Sequence, residues 1–313
     1  MAVRYVIKME DAGMDDVALV GGKNASLREK LRSLGDQGIR VPSGFVVTAG
    51  SYRLFLKEAG LETFITSALQ GLRKHDVKHF ELVGAIIRKK ITDARFPASL
   101  EAEIIRAYRG MEKQYGKNID VAVRSSATAE DLPDASFAGE HDTYLGIRGQ
   151  ADVLNAIRAC FASLFTGRAI SYRVDKGYDK EDVALSVGVQ RMVRTDLGAS
   201  GVIFTLDTES GFPDVIFITS SYGLGEMVVQ GKVVPDEFLV AKRMIGSAKL
   251  PIIGKRIGSK EAKMVYASRK SANPVKIVKT TKAERTRFSL SNKEIMVLAK
   301  WAKDYPGKLK FVT

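Results

Sequence analysis

The spacing of apolar residues changes once along this chain, and the change limits the folds open to it. Up to about residue 180 apolar positions recur mostly at helical intervals, with short strands between them; from Val183 they alternate. Residues 151–173 predict one long amphipathic helix with Val153, Ile157, Phe161 and Leu164 facing inward. Val183 to Val193 instead places Val183, Leu185, Val187 and Val189 on one face and Ala184, Ser186, Gly188 and Gln190 on the other, the signature of a strand. Gly201 to Thr205 and Val215 to Thr219 follow as a β-meander around a turn at Asp207 to Gly211, and Asn292 to Lys303 predicts a last helix. Helices gathered first and strands gathered later predict an α+β chain of two lobes, 1–182 and 183–313, with a cleft between them.

Within the first lobe, Tyr5 to Ile7 predicts a short strand, and Val41 to Thr48 a Pro/Gly turn into another. Thr48 is placed to cap a helix through Ala59 that Gly60 closes. Helices are expected near 61–72, 77–91 and 98–115, broken by Gly71, Pro97 and Gly116. In the second of these, Val83, Ile86, Ile87 and Ile91 form an apolar stripe. His75 and His79 share a helical spacing, but no third ligand accompanies them, and a metal site is not expected there.

No run reaches the roughly 18 apolar residues of a membrane span, and the N-terminus lacks an apolar signal core, so a cytoplasmic protein is expected. The single cysteine, Cys160, excludes an intrachain disulfide and reads as a buried thiol on an apolar helix face. The net charge of +13 is confined to the end of the chain. Residues 1–241 hold 30 basic and 32 acidic side chains, and residues 242–313 hold 19 and 4. That basic tail has no nucleic-acid-binding signature, and a positive wall around a polyphosphate accounts for it as well.

Two segments carry candidate chemistry. In VAVRSSATAEDLPDASFAGE, residues 121–140, a short strand ends in Arg124 and runs into small hydroxylated residues and Gly139. Small residues let backbone amides approach an anion, and an arginine at a strand end offers a fixed fork of donors. A plain surface loop after a strand would have the same composition. In GGKNASL, residues 21–27, apolar Leu27, Leu31 and Leu34 start a helix that Gly35 closes, which puts Lys23 at a helix N-terminus. A cation there opposes the helix dipole unless an anion intervenes; an exposed lysine on a capped helix would read the same way.

Taken together, GGKNASL, VPSGFVVT, VAVRSSATAEDLPDASFAGE, CFASLFTGRAISYR, SVGVQRMV, the long ASGVIFTLDTESGFPDVIFITSSYGLGEMVVQGKVVPDEF and the basic IIGKRIGSKEAKMVY resemble the N-terminal nucleotide-binding domain of the phosphoenolpyruvate synthases (pyruvate, water dikinases). The likeness runs from about Lys8 to Trp301. Pyruvate, phosphate dikinases and rifampicin phosphotransferases share this domain and are the nearest alternatives.

The resemblance implies an ATP-grasp-like fold with ATP as the bound nucleotide. On that pattern Lys23 and Arg124 match the catalytic, phosphate-contacting pair, and Gly139, Glu140 and Thr143 fall in the loop covering the phosphates. Gln190, Arg191, Met192 and Val193 match the strand end whose backbone faces adenine. Relatives carry Gln at the position of Glu140, whose carboxylate would repel phosphates unless a cation intervened.

The implied reaction passes the β,γ-diphosphoryl unit of ATP to a histidine on a separate swivelling domain, with AMP and phosphate released before pyruvate is phosphorylated. None of His75, His79 and His141 sits in a phosphohistidine motif, so that domain and the pyruvate-binding domain are expected as partners. Magnesium is expected for the family, but the acidic motif that follows the last helix in relatives is missing, and no metal ligand can be assigned. The expectation is a domain truncated at its end and incomplete alone, or a non-catalytic module that binds nucleotide or a partner.

Overall fold

The computed structural model describes residues 4–35, 39–72, 76–127, 143–176, 184–247, 251–267, 271, 273–304 and 308–312. They fall into two compact units, Met1–Met192 and Val193–Thr313.

The first unit contains, in chain order, β1 (Val6–Lys8), α1 (Val17–Gly35), β2 (Gly44–Val47), α2 (Ala49–Glu58), α3 (Leu61–Leu69), α4 (Val77–Asp93), α5 (Ala98–Tyr115), β3 (Val121–Ala127), β4 (Thr143–Ile147), α6 (Gln150–Ser163), α7 (Gly167–Lys176) and β5 (Leu185–Arg191). Its strands form one antiparallel sheet in the order β1-β2-β5-β3-β4. The last strand in sequence is therefore the central one. This moves the lobe boundary from residue 182 to Met192, because the alternation that marks 183–193 as a strand does not say which sheet it joins.

Helices cover both faces of this sheet. On one, Leu185, Val187 and Val189 join Val121 and Val123 in the main core with Phe55, Phe96 and Phe161, whose ring centroids lie 5.0 to 6.2 Å apart. Tyr52 packs edge-on to Phe161 at 5.2 Å, and burial pushes its phenol up to about 12. Cys160 is buried in the same core. On the other face α1 lays Val20 and Ala25 against Ile7 and Val46.

The helices follow their punctuation. α5 runs between Pro97 and Gly116, whose φ of 107° only glycine adopts readily, and buries Leu100, Ile104, Tyr108 and Met111 at helical spacing. α4 buries Phe80, Val83, Ile87 and Ile91, whereas Ile86, expected in that stripe, is 49% exposed. Thr48 does precede α2, but its hydroxyl donates to the Arg4 carbonyl at 2.9 Å and makes no cap bond.

The helix expected over 151–173 is two helices with a corner at 164–166. Arg173 donates to the Leu164 carbonyl and Arg88 to the Phe165 carbonyl, both at 2.6 Å, so the carbonyls freed by the break are satisfied by cations. Gln150–Val174 is long and apolar enough on average to cross a membrane, but it is this broken pair, with 67% of the segment's most apolar window buried.

The second unit contains β6 (Ala199–Phe204), β7 (Val215–Tyr222), α8 (Glu226–Val229), β8 (Asp236–Ala241), β9 (Ile252–Arg256), β10 (Ala262–Tyr266), β11 (Val275–Lys279), α9 (Lys282–Thr286), α10 (Asn292–Asp304) and β12 (Lys308–Val312). The expected meander is present as β6-β7-β8-β9, antiparallel, with β12 added beside β6. α10 packs Ile295, Leu298, Ala299 and Ala302 into a core with Ile203, Ile216, Ile218 and Phe238. β10 and β11 form a separate two-stranded ribbon.

One member of the basic tail faces inward. Lys260 and Asp236 are fully buried and paired. Asp236 also accepts from the Gly258 amide at 2.9 Å and from the Ser289 amide and hydroxyl at 2.7 Å each, so it ties β8 to two loops. Lys260 thus belongs to the core and not to a positive wall.

At α9, the Thr281 hydroxyl accepts from the Glu284 amide while the Glu284 carboxylate accepts from the Thr281 amide, a capping box that Lys263 reinforces. Burial raises the Glu284 pKa, but the bonds from Lys263 and Thr281 outweigh it and hold the carboxyl below its ordinary 4.5. A depressed carboxyl stabilises the fold above its unfolded-state value and loses that contribution as pH falls through its folded-state value. Glu284→Gln is expected to cost about 1 kcal/mol near pH 7. Its melting temperature should converge on that of the unaltered chain as the pH is taken below 4.5.

Candidate functional site

The site is assembled on the α1 face of the first sheet. Arg124 of β3 is in register with Gly188 of β5 on one side and Thr143 of β4 on the other; Gly188 is in turn in register with Val46 of β2. Directly opposed residues of antiparallel strands share a face, so Val46, Gly188, Arg124 and Thr143 form one row across four strands.

Arg124 is held from β5. Its Nη2 donates to Gln190 Oε1 at 2.9 Å, and Gln190 Nε2 donates to the Pro42 carbonyl at 2.7 Å, which fixes the orientation of the amide. Part of the Arg124 surface stays open, yet its guanidinium is packed deeply enough that desolvation lowers its pKa. Among the described residues no carboxylate pairs with it. A deep cation whose only recorded partner is a neutral amide is poised for an anion, since buried charge is normally compensated. Two further groups adjoin it in sequence. The hydroxyls of Ser125 and Ser126 are buried and, among the described residues, have no hydrogen-bond partner.

Lys23 is carried by α1, the helix that covers this face. Gly21 takes φ 72° and ψ 158°, values that break the helix and start it again at the next residue. Lys23 then lies exposed in the first turn after the break, as the glycine pair implies, while Asn24 is 3% exposed and turned to the sheet. Asn24 Nδ2 donates to the Val20 carbonyl at 3.0 Å and to Ser186 Oγ at 3.1 Å.

The remaining expected residues divide. Thr143 is exposed beside Arg124. Arg191 stacks on Tyr115 at 4.4 Å, and its amide donates to the Ser43 carbonyl. The Met192 amide donates to the Asp120 carbonyl, so both of these strand-end amides already have backbone partners. Val193 opens the second unit and is 40% exposed. Gly139, Glu140, His75 and His141 lie outside the described residues. His79 is on exposed surface beside Asp76, and no cluster of three or more metal-ligating side chains occurs among the described residues. The described residues supply no ligand set for magnesium.

Sequence reasoning missed Asn24 and Gly188. The signal was present in the small residues on one face of β5, which mark a close approach by another element.

The family model described as pyruvate phosphate dikinase, AMP/ATP-binding domain, matches residues 17–310. The chain belongs to this family. Its relatives include phosphoenolpyruvate synthases from Neisseria meningitidis, 52% identical over 304 residues, Pseudomonas aeruginosa, 51% over 301, and Escherichia coli, 47% over 325. These alignments cover 96%, 96% and 98% of this chain but only 38%, 38% and 41% of the relatives. The dikinase-family domain thus spans about two fifths of the length of these synthases.

Proposed function

We propose that this dikinase-family domain binds ATP, with Arg124 and Lys23 on the phosphates, and that it serves as the nucleotide-binding part of a phosphoenolpyruvate synthase. The observation that carries the reading is Arg124, a deeply set guanidinium with a neutral partner, placed between Gly188 and Thr143 in its row. An arginine so placed offers its remaining donors to phosphate in the bidentate geometry that guanidinium favours. Such donors stabilise charge on a transferring phosphoryl group when they are already in place before reaction.

In this reading the fold is ATP-grasp-like and the protein cytoplasmic. The diphosphoryl acceptor would be a histidine outside this chain, which accords with coverage of only about two fifths of the relatives. The domain alone binds ATP and does not turn over.

Calorimetry with Mg-ATP tests binding directly. Saturation is expected to raise the melting temperature in step with ATP concentration, because a ligand that binds only the folded state stabilises it by mass action. No affinity at any magnesium concentration would remove the reading. Release of AMP on adding the remaining domains of a relative in trans tests the enzyme assignment. Binding without AMP release would leave a nucleotide-binding module instead.

A further inference from the structure

We propose that Asn24 is the residue that positions Lys23, and that Gly188 is glycine because Asn24 must dock there. This rests on the ATP-site reading above. The break at Gly21 frees the following turn from the direction of the preceding helix, so something other than helix continuity must set where Lys23 points. Asn24, the next residue, does this with a single amide. One proton goes to the Val20 carbonyl, on the far side of the break, and the other to Ser186 of the central strand, whose hydroxyl also donates to Val20; the Ser186–Val20 bond ties the preceding half of α1 to the sheet, and the Asn24 amide adds the half that bears Lys23.

The dock is shaped for it. A Cβ at Gly188 would lie 2.4 Å from Asn24 Oδ1, so any side chain there would have to displace this amide. Gly188 is also the register partner of Arg124. Asn24 is therefore seated one strand away from Arg124, which sets the turn bearing one cation by reference to the strand neighbour of the other. An apolar side chain could fill the same buried space, but it could not bond both Val20 and Ser186. A buried amide confers direction where hydrophobic packing confers only contact.

The test is a mutational cycle on ATP affinity. Asn24→Ala and Lys23→Ala should each weaken Mg-ATP binding, Asn24→Ala on the order of tenfold, the size expected between residues that share a contact. In the Lys23→Ala background Asn24→Ala should add less than about twofold, because the side chain it positions is gone. Equal effects in both backgrounds, or wild-type affinity for Asn24→Ala, would overturn the proposal.

Gly188→Ala should mimic Asn24→Ala, and adding it to Asn24→Ala should cost little more, since the colliding oxygen has been removed. If Asn24→Ala fails to fold, Asn24→Asp, which keeps the side-chain shape and removes both donated protons, takes its place in the cycle. Amide exchange across residues 22–27 reads the same anchoring without nucleotide. It should accelerate in Asn24→Ala while the core strands stay protected, and unchanged exchange would count against the proposal. If the unaltered chain gives no heat with ATP, the site reading fails first, and the exchange data alone decide whether Asn24 holds the turn.

Discussion

Arg124→Met is expected to abolish measurable ATP binding while leaving the free protein as stable as before, or more so. The two effects have one cause. In the absence of ligand the guanidinium is desolvated, and among the described residues its recorded partner is a neutral amide. Replacing it with an apolar side chain of similar length removes an uncompensated charge and leaves Gln190 still bonded to Pro42. With ATP present, the same change deletes charge-assisted bonds to phosphate. Truncating one partner of such a pair costs about 2–5 kcal/mol, on the order of 30-fold to several thousand-fold in affinity. Melting curves with and without Mg-ATP check both halves at once: the free variant should melt at or above the wild-type temperature, and ATP should no longer raise it. A variant that binds ATP like the wild type would remove Arg124 from the site. A variant that melts well below it would recast Arg124 as a structural residue.

The second large effect is expected far from that site. Asp236→Asn should destabilise the second unit by about 3–5 kcal/mol, because it leaves the fully buried Lys260 ammonium without a counter-charge. Lys260→Met should cost less, since the Gly258 amide and both Ser289 donors still satisfy the carboxylate. Combining Lys260→Met with Asp236→Asn should recover part of the loss, as neither charge then remains. The non-additivity in a double-mutant cycle measures the pair. Urea unfolding followed by Trp301, on the face of α10 that packs against the second core, reports this unit. Additive single and double effects would show that Asp236 matters only as an acceptor.

Comparison of the sequence reading with the structure separates what periodicity can tell from what it cannot. α5 was legible from end to end, because Pro97 and Gly116 punctuate it and its apolar stripe is regular. β5 was legible as a strand but assigned to the wrong lobe, because alternation records that a segment is pleated and not whom it pairs with. The corner at 164–166 was invisible, since the cations that stabilise it, Arg88 and Arg173, reach it from α4 and from the helix beyond the break. Lys260 looked like surface because charge counting cannot see a partner 24 residues away in sequence. Within the site, Lys23 and Arg124 stood out by residue type, whereas Asn24 and Gly188 acquire meaning only when α1 and β5 are brought together.

The strand order also has a consequence for how the chain acquires its site during synthesis. β1 pairs with β2, and β3 with β4, so two separate hairpin-like pieces can form as soon as each has been made. Neither can join the other until β5 slots between them, and β5 is the final strand of its unit to be made. Until then β2 and β3 each present an open edge, the kind of edge that invites pairing with the wrong chain. Gly188 and Gln190, which seat Asn24 and hold Arg124, arrive on that same strand. A nascent chain ending before residue 185 would contain both cations of the proposed phosphate site and yet have no strand to hold them together.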